Sequence, residues 1–213
     1  MQNMTGQEVL LFYIVCDESG SMGPNGGIAA INQALPELHA TLAADPLVVD
    51  KSRLSIIAFS DNAEVILPLC KVTDVAEIPG FVEGGLANYG TAFALLQSTI
   101  EGDVNRLKSQ GFLVYRPYVF FMSGTEPSDN WELAYQRLIN HTYRPHIMTL
   151  GVDAADPAIL SKIATLQQDV GSDRPSPSRS LAKMISRFGL EIIQKSPQAH
   201  EKFRPRLPTK PKN

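Results

Sequence analysis

Val9-Leu10-Leu11-Phe12-Tyr13-Ile14-Val15-Cys16, followed at once by Asp17-Glu18-Ser19-Gly20-Ser21-Met22, is the stretch on which the fold turns. Eight apolar residues in succession are too few to span a membrane and predict a strand buried on both faces, as in the middle of a parallel sheet. The polar hexapeptide is then the loop at that strand's C-terminal end. In open α/β sheets ligands bind at this rim, because loops meet helix N-termini there around a crevice. One carboxylate and two hydroxyls at i, i+2 and i+4 can converge on a single hard cation and leave positions for water and a ligand. The loop therefore reads as a candidate metal site, against the plainer reading of a Ser- and Gly-rich turn.

Working outward, Ile28, Ile31, Leu35, Leu38 and Leu42 fall at three- and four-residue steps and mark a helix face, with a bend expected at Pro36 and an end at Asp45-Pro46. Arg53 to Ser60 and Ala63 to Leu69 predict two strands joined by the short turn Ser60-Asp61-Asn62. They should pair as a hairpin, which makes the second an antiparallel edge strand that tolerates Pro68. Lys71 to Asn88 is less legible, with a helical turn expected around Val75 to Ile78. Asn88-Tyr89-Gly90-Thr91 then leads into a helix with Ala92, Leu95, Leu96, Thr99, Ile100, Val104 and Leu107 on its inner face. Thr91 is a loop or first-turn residue, able to cap the helix or to aim its hydroxyl at the strand ends.

Pro117 to Met122 predicts the next buried strand, with Ser123 to Ser128 as its exit loop. Asp129-x-x-Glu132 reads as a capping box opening a helix with Trp131, Ala134, Tyr135 and Leu138 inward. His146 to Val152 predicts a fifth strand, and Asp156-Pro157 an N-cap with Pro in the first turn of a helix. A sixth strand near 168–171 and a last helix carrying Leu181, Met184, Ile185, Phe188 and Ile192 complete the pattern. Strands alternating with amphipathic helices predict an α/β fold: a doubly wound, mostly parallel sheet with one antiparallel edge strand and helices on both faces.

The 213 residues suit one such domain over 8–194 and a basic, Pro-rich tail over 195–213 that has little to bury and is expected to be disordered. That tail carries six Lys or Arg against Glu201, a net +5, which leaves −8 for the rest of a chain whose total is −3. An acidic globule is a poor nucleic-acid binder, and no segment is long and apolar enough for a membrane helix. The polar, short start from Met1 to Gln7 does not open a secretory signal, so a cytoplasmic protein is expected. Cys16 and Cys70 read as inert thiols rather than a bridge, and the four histidines lack ligand spacing.

Asp17-x-Ser19-x-Ser21 after a buried strand, with Gly90-Thr91 ahead of a later helix, resembles the von Willebrand factor type A domain and its metal-ion-dependent adhesion site. The resemblance spans about residues 8–194 and implies that Ser19 and Ser21 ligate Mg²⁺ or Mn²⁺ directly. It implies that Thr91 does so directly or through water, and that Asp17 acts through water or by orienting Ser21. It also implies an open position that an Asp or Glu of a protein partner completes. The third motif of the family, Thr-Asp-Gly at a strand end, is broken: its Asp corresponds to Gly124. With Asp17 as the only charged ligand the ion should bind weakly, unless Glu126 reaches in. Ala43-Asp45-Pro46 and Glu126-Pro127-Ser128-Asp129-x-Trp131 resemble the bacterial cytoplasmic branch associated with tellurium resistance and stress operons.

Three other readings stay open: a metal-free scaffold, a phosphotransferase or hydrolase using Asp17, and a tail that is itself a basic proline-rich ligand. Catalysis lacks its partners. No second Asp stands at Ser19, no Lys ends the strands closing at Met122 or Val152, His39 falls mid-helix and His141 has no evident partner, and no P-loop or GxGxxG is present.

Overall fold

The computed structural model describes residues 7–166, apart from 25, 45, 153 and 154. The strand expected near 168–171, the last helix, the domain end at 194 and the tail over 195–213 lie outside the described residues. Strands β1 (Glu8–Asp17), β2 (Ser52–Phe59), β3 (Ala63–Lys71), β4 (Leu113–Val114), β5 (Tyr118–Ser123) and β6 (His146–Gly151) alternate with helices α1 (Gly27–Ala43), α2 (Pro46–Lys51), α3 (Tyr89–Ser109), α4 (Glu132–Asn140) and α5 (Pro157–Ile163). The sheet runs β3-β2-β1-β5-β6, with short β4 beside the start of β1. All pairings are parallel except β2 with β3.

Central β1 is flanked by β2 and β5, and its alternating side chains divide the molecule into two cores. Leu10, Phe12, Ile14 and Cys16 pack with Ile31, Leu35, Leu38 and Leu42 of α1. Val9, Leu11, Tyr13 and Val15 pack with Phe93, Leu96, Ile100 and Val104 of α3 and with Tyr135 and Leu138 of α4. Burial of both faces is why the sequence shows a continuous apolar run there, not an alternating one. The edge strand β3 is only half buried, and its register with β2 slips on both sides of Ile56, so Pro68 costs no essential ladder bond.

Several local expectations are corrected. α1 contains Pro36 and ends at Ala43, ahead of Asp45-Pro46 as expected, but a separate short helix, α2, which was not expected, opens with Pro46. The turn near Val75 lies earlier, as a 3-10 turn at Val72–Asp74. Asp129 makes no capping box: Trp131 occupies the position before α4 with no side-chain cap, and Asp129 Oδ2 accepts from Gly90 N at 2.9 Å. The Asp156 cap is formed, accepting from Ala158 N at 2.7 Å. Both thiols are free, and the two-residue β4, within the short apolar run Phe112 to Tyr115, was not expected from the sequence.

Candidate functional site

Successive connections run from β1 outward to β2 on one side, while β5 returns to pair with β1 on the other. The reversal opens a crevice at the C-terminal ends of β1 and β5. Asp17 ends β1 and Ser123 ends β5, so the two flank this crevice from adjacent strands.

The Asp17 carboxylate is fully buried. Its Oδ1 accepts from Ser19 N at 2.9 Å, which folds the loop back on the strand end. Its Oδ2 accepts from the Ser123 hydroxyl and, at 2.9 Å, from the Thr125 hydroxyl. Ser19 Oγ lies 3.3 Å from Ser21 Oγ; Ser19 is buried and Ser21 exposed, so the pair leads from the carboxylate to the surface. Beneath them the Tyr89 hydroxyl lies 2.7 Å from both Ser123 Oγ and the Thr125 carbonyl oxygen. Its ring is held by Phe59, Phe121 and Trp131, with centroids 5.5, 4.9 and 6.3 Å away. Burial, and secondarily the Asp17 charge, push the Tyr89 phenol well up, so it stays a protonated donor. Burial likewise keeps the Cys16 thiol protonated and unreactive, with Asp17 and Glu18 adding to the effect.

Among the predicted residues, the structure brings Asp17, Ser19 and Ser21 into one hydrogen-bonded loop. Thr91 stands in the first turn of α3, two residues beyond Tyr89, and its hydroxyl donates to Asn88 O at 2.8 Å. Glu126 is exposed. Sequence reasoning missed Ser123, Thr125 and Tyr89 as members of the network. The only signal available was the pair of hydroxyl residues straddling Gly124.

Gly124 itself is enclosed. A Cβ built there would meet Met22 Sδ and the Val152 carbonyl oxygen, each at 2.7 Å. The position that the sequence resemblance aligns with a second carboxylate is thus closed by packing. Thr125, one residue on, supplies a hydroxyl to Asp17 instead.

The loop over 79–88, opaque in the sequence, forms the roof. Asn32 clamps Phe81 with both side-chain atoms, at 3.0 and 2.8 Å. Gly84 N donates to Glu18 O at 2.9 Å and Gly20 N to Gly85 O at 3.0 Å, zipping the roof to the Asp17 loop. Gly85 has φ +71°, and a Cβ there would lie 2.5 Å from Asp61 Oδ2, so only glycine fits. Ala87 and Ser128 exchange hydrogen bonds of 3.2 and 2.8 Å, joining the roof to the β5 exit loop. Partial burial raises the Glu18 carboxyl above its ordinary range, opposed by a hydrogen bond from the Val82 backbone.

The von Willebrand factor type A domain profile matches residues 12–125, more than half of the chain, from β1 to the loop after β5. The chain belongs to the von Willebrand factor type A domain family. Solved type A relatives share its fold. A protein from Catenulispora acidiphila is 19% identical with a TM-score of 0.60 over 84% of this chain and 42% of its own. The manganese-loaded TRAP protein of Plasmodium vivax is 18% identical, with a TM-score of 0.60 over 85% of this chain and 73% of that one. Proximal thread matrix protein 1 of the mussel byssus, with a zinc-occupied adhesion motif, is 14% identical, with a TM-score of 0.58 over 85% and 47%. The chain spans under half the length of the Catenulispora and mussel proteins. No curated protein sequence matches it.

In this type A domain the Asp17 loop offers only oxygen atoms to a ligand, the Asp17 carboxylate and the Ser19 and Ser21 hydroxyls. That chemistry fits a hard divalent cation in kind. Among the described residues no group of three His, Cys, Asp or Glu converges anywhere. Among them, too, no helix is long and apolar enough to cross a membrane.

Proposed function

We propose that the chain is a non-enzymatic protein-interaction module that binds through the rim formed by the Asp17 loop, the roof loop and the β5 exit loop. The observation that carries this reading is the buried Asp17 with the Ser19 and Ser21 hydroxyls leading outward at the crevice between β1 and β5. Asp17, Ser19, Ser21 and Thr91 would hold Mg²⁺ or Mn²⁺ weakly. When bound, such an ion supplies an electrophilic attachment point for a partner's Asp or Glu. The residues themselves do the positioning: Ser19 N fixes the carboxylate rotamer, and Ser123 and Thr125 hold the second oxygen. A place in the bacterial tellurium-resistance and stress-response branch is proposed on the short sequence matches around Asp45-Pro46 and Glu126-Pro127.

Affinity for the ion should be low, because Asp17 Oδ2 already accepts from two hydroxyls that a cation must compete with or reorient. The same two hydrogen bonds favour a second reading, a metal-free scaffold in which they do the ion's structural work. Thermal melting decides between the two. Millimolar Mg²⁺ or Mn²⁺ at about ten times its Kd stabilises by about 1.4 kcal/mol, a rise of about 3–6 °C that EDTA reverses. No shift at any millimolar concentration leaves the scaffold. Turnover of generic phosphate or ester substrates, lost in Asp17→Ala, would instead make the protein an enzyme.

A further inference from the structure

The binding rim has a charge pattern that the ion does not explain. Segments 17–24, 60–64, 79–91 and 123–132 contain not one Lys or Arg, and beside buried Asp17 and Asp129, which accepts from Gly90 N, they carry six carboxylates, Glu18, Asp61, Glu64, Glu83, Glu126 and Glu132. Cations gather instead at the opposite end of the sheet, with Arg53 in register with Lys71, and with Arg116 and Arg144 on the segments entering β5 and β6. Helix dipoles do not require this asymmetry, since α1 and α3 start at the rim with no acidic residue in their first turns and only Glu132 of α4 has such a place. None of the six rim carboxylates is ion-paired among the described residues.

The rim is also where apolar side chains are left in solvent. Of the four large hydrophobics exposed among the described residues, Val82 at 78% and Leu86 at 59% lie on the roof loop and Leu133 at 64% lies in the first turn of α4. The roof is pinned to α1, to the Asp17 loop and to the β5 exit loop, so these side chains are presented on a fixed platform. Exposed apolar side chains on a rim whose carboxylates pair with no cation among the described residues fit a segment that alternates apolar and cationic residues.

This chain contains such a segment, Phe203-Arg204-Pro205-Arg206-Leu207, within the +5 stretch over 195–213. We infer that residues 203–207 dock on the rim of the same molecule, with Phe203 and Leu207 against Val82 and Leu86 and with Arg204 and Arg206 facing the rim carboxylates. Reach permits it. Leu166 N donates to Ile147 O near the start of β6, at the far end of the sheet. The 36 residues over 167–202 would span about 54 Å even if wholly helical, whereas β6 is about 20 Å long. The inference rests on the rim as binding face and is independent of the ion.

The test is zero-length carbodiimide cross-linking of the full chain, stripped of metal with EDTA and then exchanged into metal-free buffer without carboxylates or amines, at low protein concentration, with cross-linked peptides identified by mass spectrometry. Lys202, Lys210 and Lys212 are expected to join Glu18, Glu83 and Glu126 within monomers, in preference to Glu37 and Glu101 on the helices. Raising salt from about 0.1 M to about 1 M, which shortens the screening length from about 10 Å to about 3 Å, should abolish the preference. The double substitution Arg204→Glu/Arg206→Glu should lower rim cross-links about fivefold while leaving the melting temperature within about 1 °C. Val82→Ser/Leu86→Ser should lower them too, and in that variant the charges are untouched. Cross-links spread evenly over all carboxylates, or found only in dimers, would overturn the inference. Because the protein is free of metal throughout, neither outcome bears on the metal reading, and an absent Mg²⁺ shift leaves the cross-linking result standing.

Discussion

Substitution of Gly124 separates two explanations of the broken motif. If only charge were missing, Gly124→Asp would restore a strong ion site at no structural cost. The packing says otherwise. Any side chain at 124 begins with a Cβ 2.7 Å from Met22 Sδ and 2.7 Å from the Val152 carbonyl oxygen. Met22 can swing its thioether aside, but Val152 O is backbone, and Val152 N is tied to Ser123 O at 3.0 Å. Overpacking of this kind costs about 1–3 kcal/mol, so Gly124→Ala should melt about 4–8 °C lower for a midrange loss. Gly124→Asp should lose about 1–3 kcal/mol more in EDTA, since it adds a second carboxylate to a buried site with no cation to neutralise it. Mg²⁺ at a hundred times its Kd returns about 2.7 kcal/mol, so at the midrange total loss of about 4 kcal/mol the loaded variant should remain about 1.3 kcal/mol below the parent in EDTA. Urea denaturation of the parent and both variants, with and without Mg²⁺, measures each difference. A Gly124→Ala protein within about 0.5 kcal/mol of the parent would refute the packing account and leave charge alone as the reason for the glycine.

Other substitutions probe the network and its pH response. Asp17→Ala leaves three donors without their acceptor, Ser19 N and the Ser123 and Thr125 hydroxyls, and should cost about 3–5 kcal/mol; Thr125→Val, which removes one hydrogen bond to that carboxylate, should cost about 1.5–3 kcal/mol by the same denaturation measurement. Glu18 has its folded-state pKa raised, chiefly by burial, so the folded protein holds that proton more tightly than the unfolded chain does. Stability is therefore lost as pH rises through the raised value, and Glu18→Gln should melt higher than the parent at about pH 8, with the gap closing as pH falls below the ordinary glutamate range of about 4.3. Melting curves across that window, with no convergence at low pH, would contradict the burial of this group.

The continuous apolar run of β1 and the three- and four-residue spacing in α1 and α3 were enough to determine a doubly wound sheet. Each pattern records, residue by residue, which face of an element is dry. The Asp17 loop was legible for the same reason: its three polar residues are adjacent in the chain, and the buried strand before them fixes which end of the sheet they occupy. What only the tertiary structure decided lies between residues far apart in sequence. Thr125 reaches Asp17 across 108 positions, Tyr89 reaches Ser123 across 34, and Asp129 turns from the cap its spacing suggests to Gly90, 39 positions back. Gly124 looks like a lost ligand until the Met22 thioether and the Val152 carbonyl are seen against it. Polar contacts of this sort have no period, and close packing depends on which atoms of distant segments meet. Propensity and pattern therefore carry no trace of them before the chain has folded.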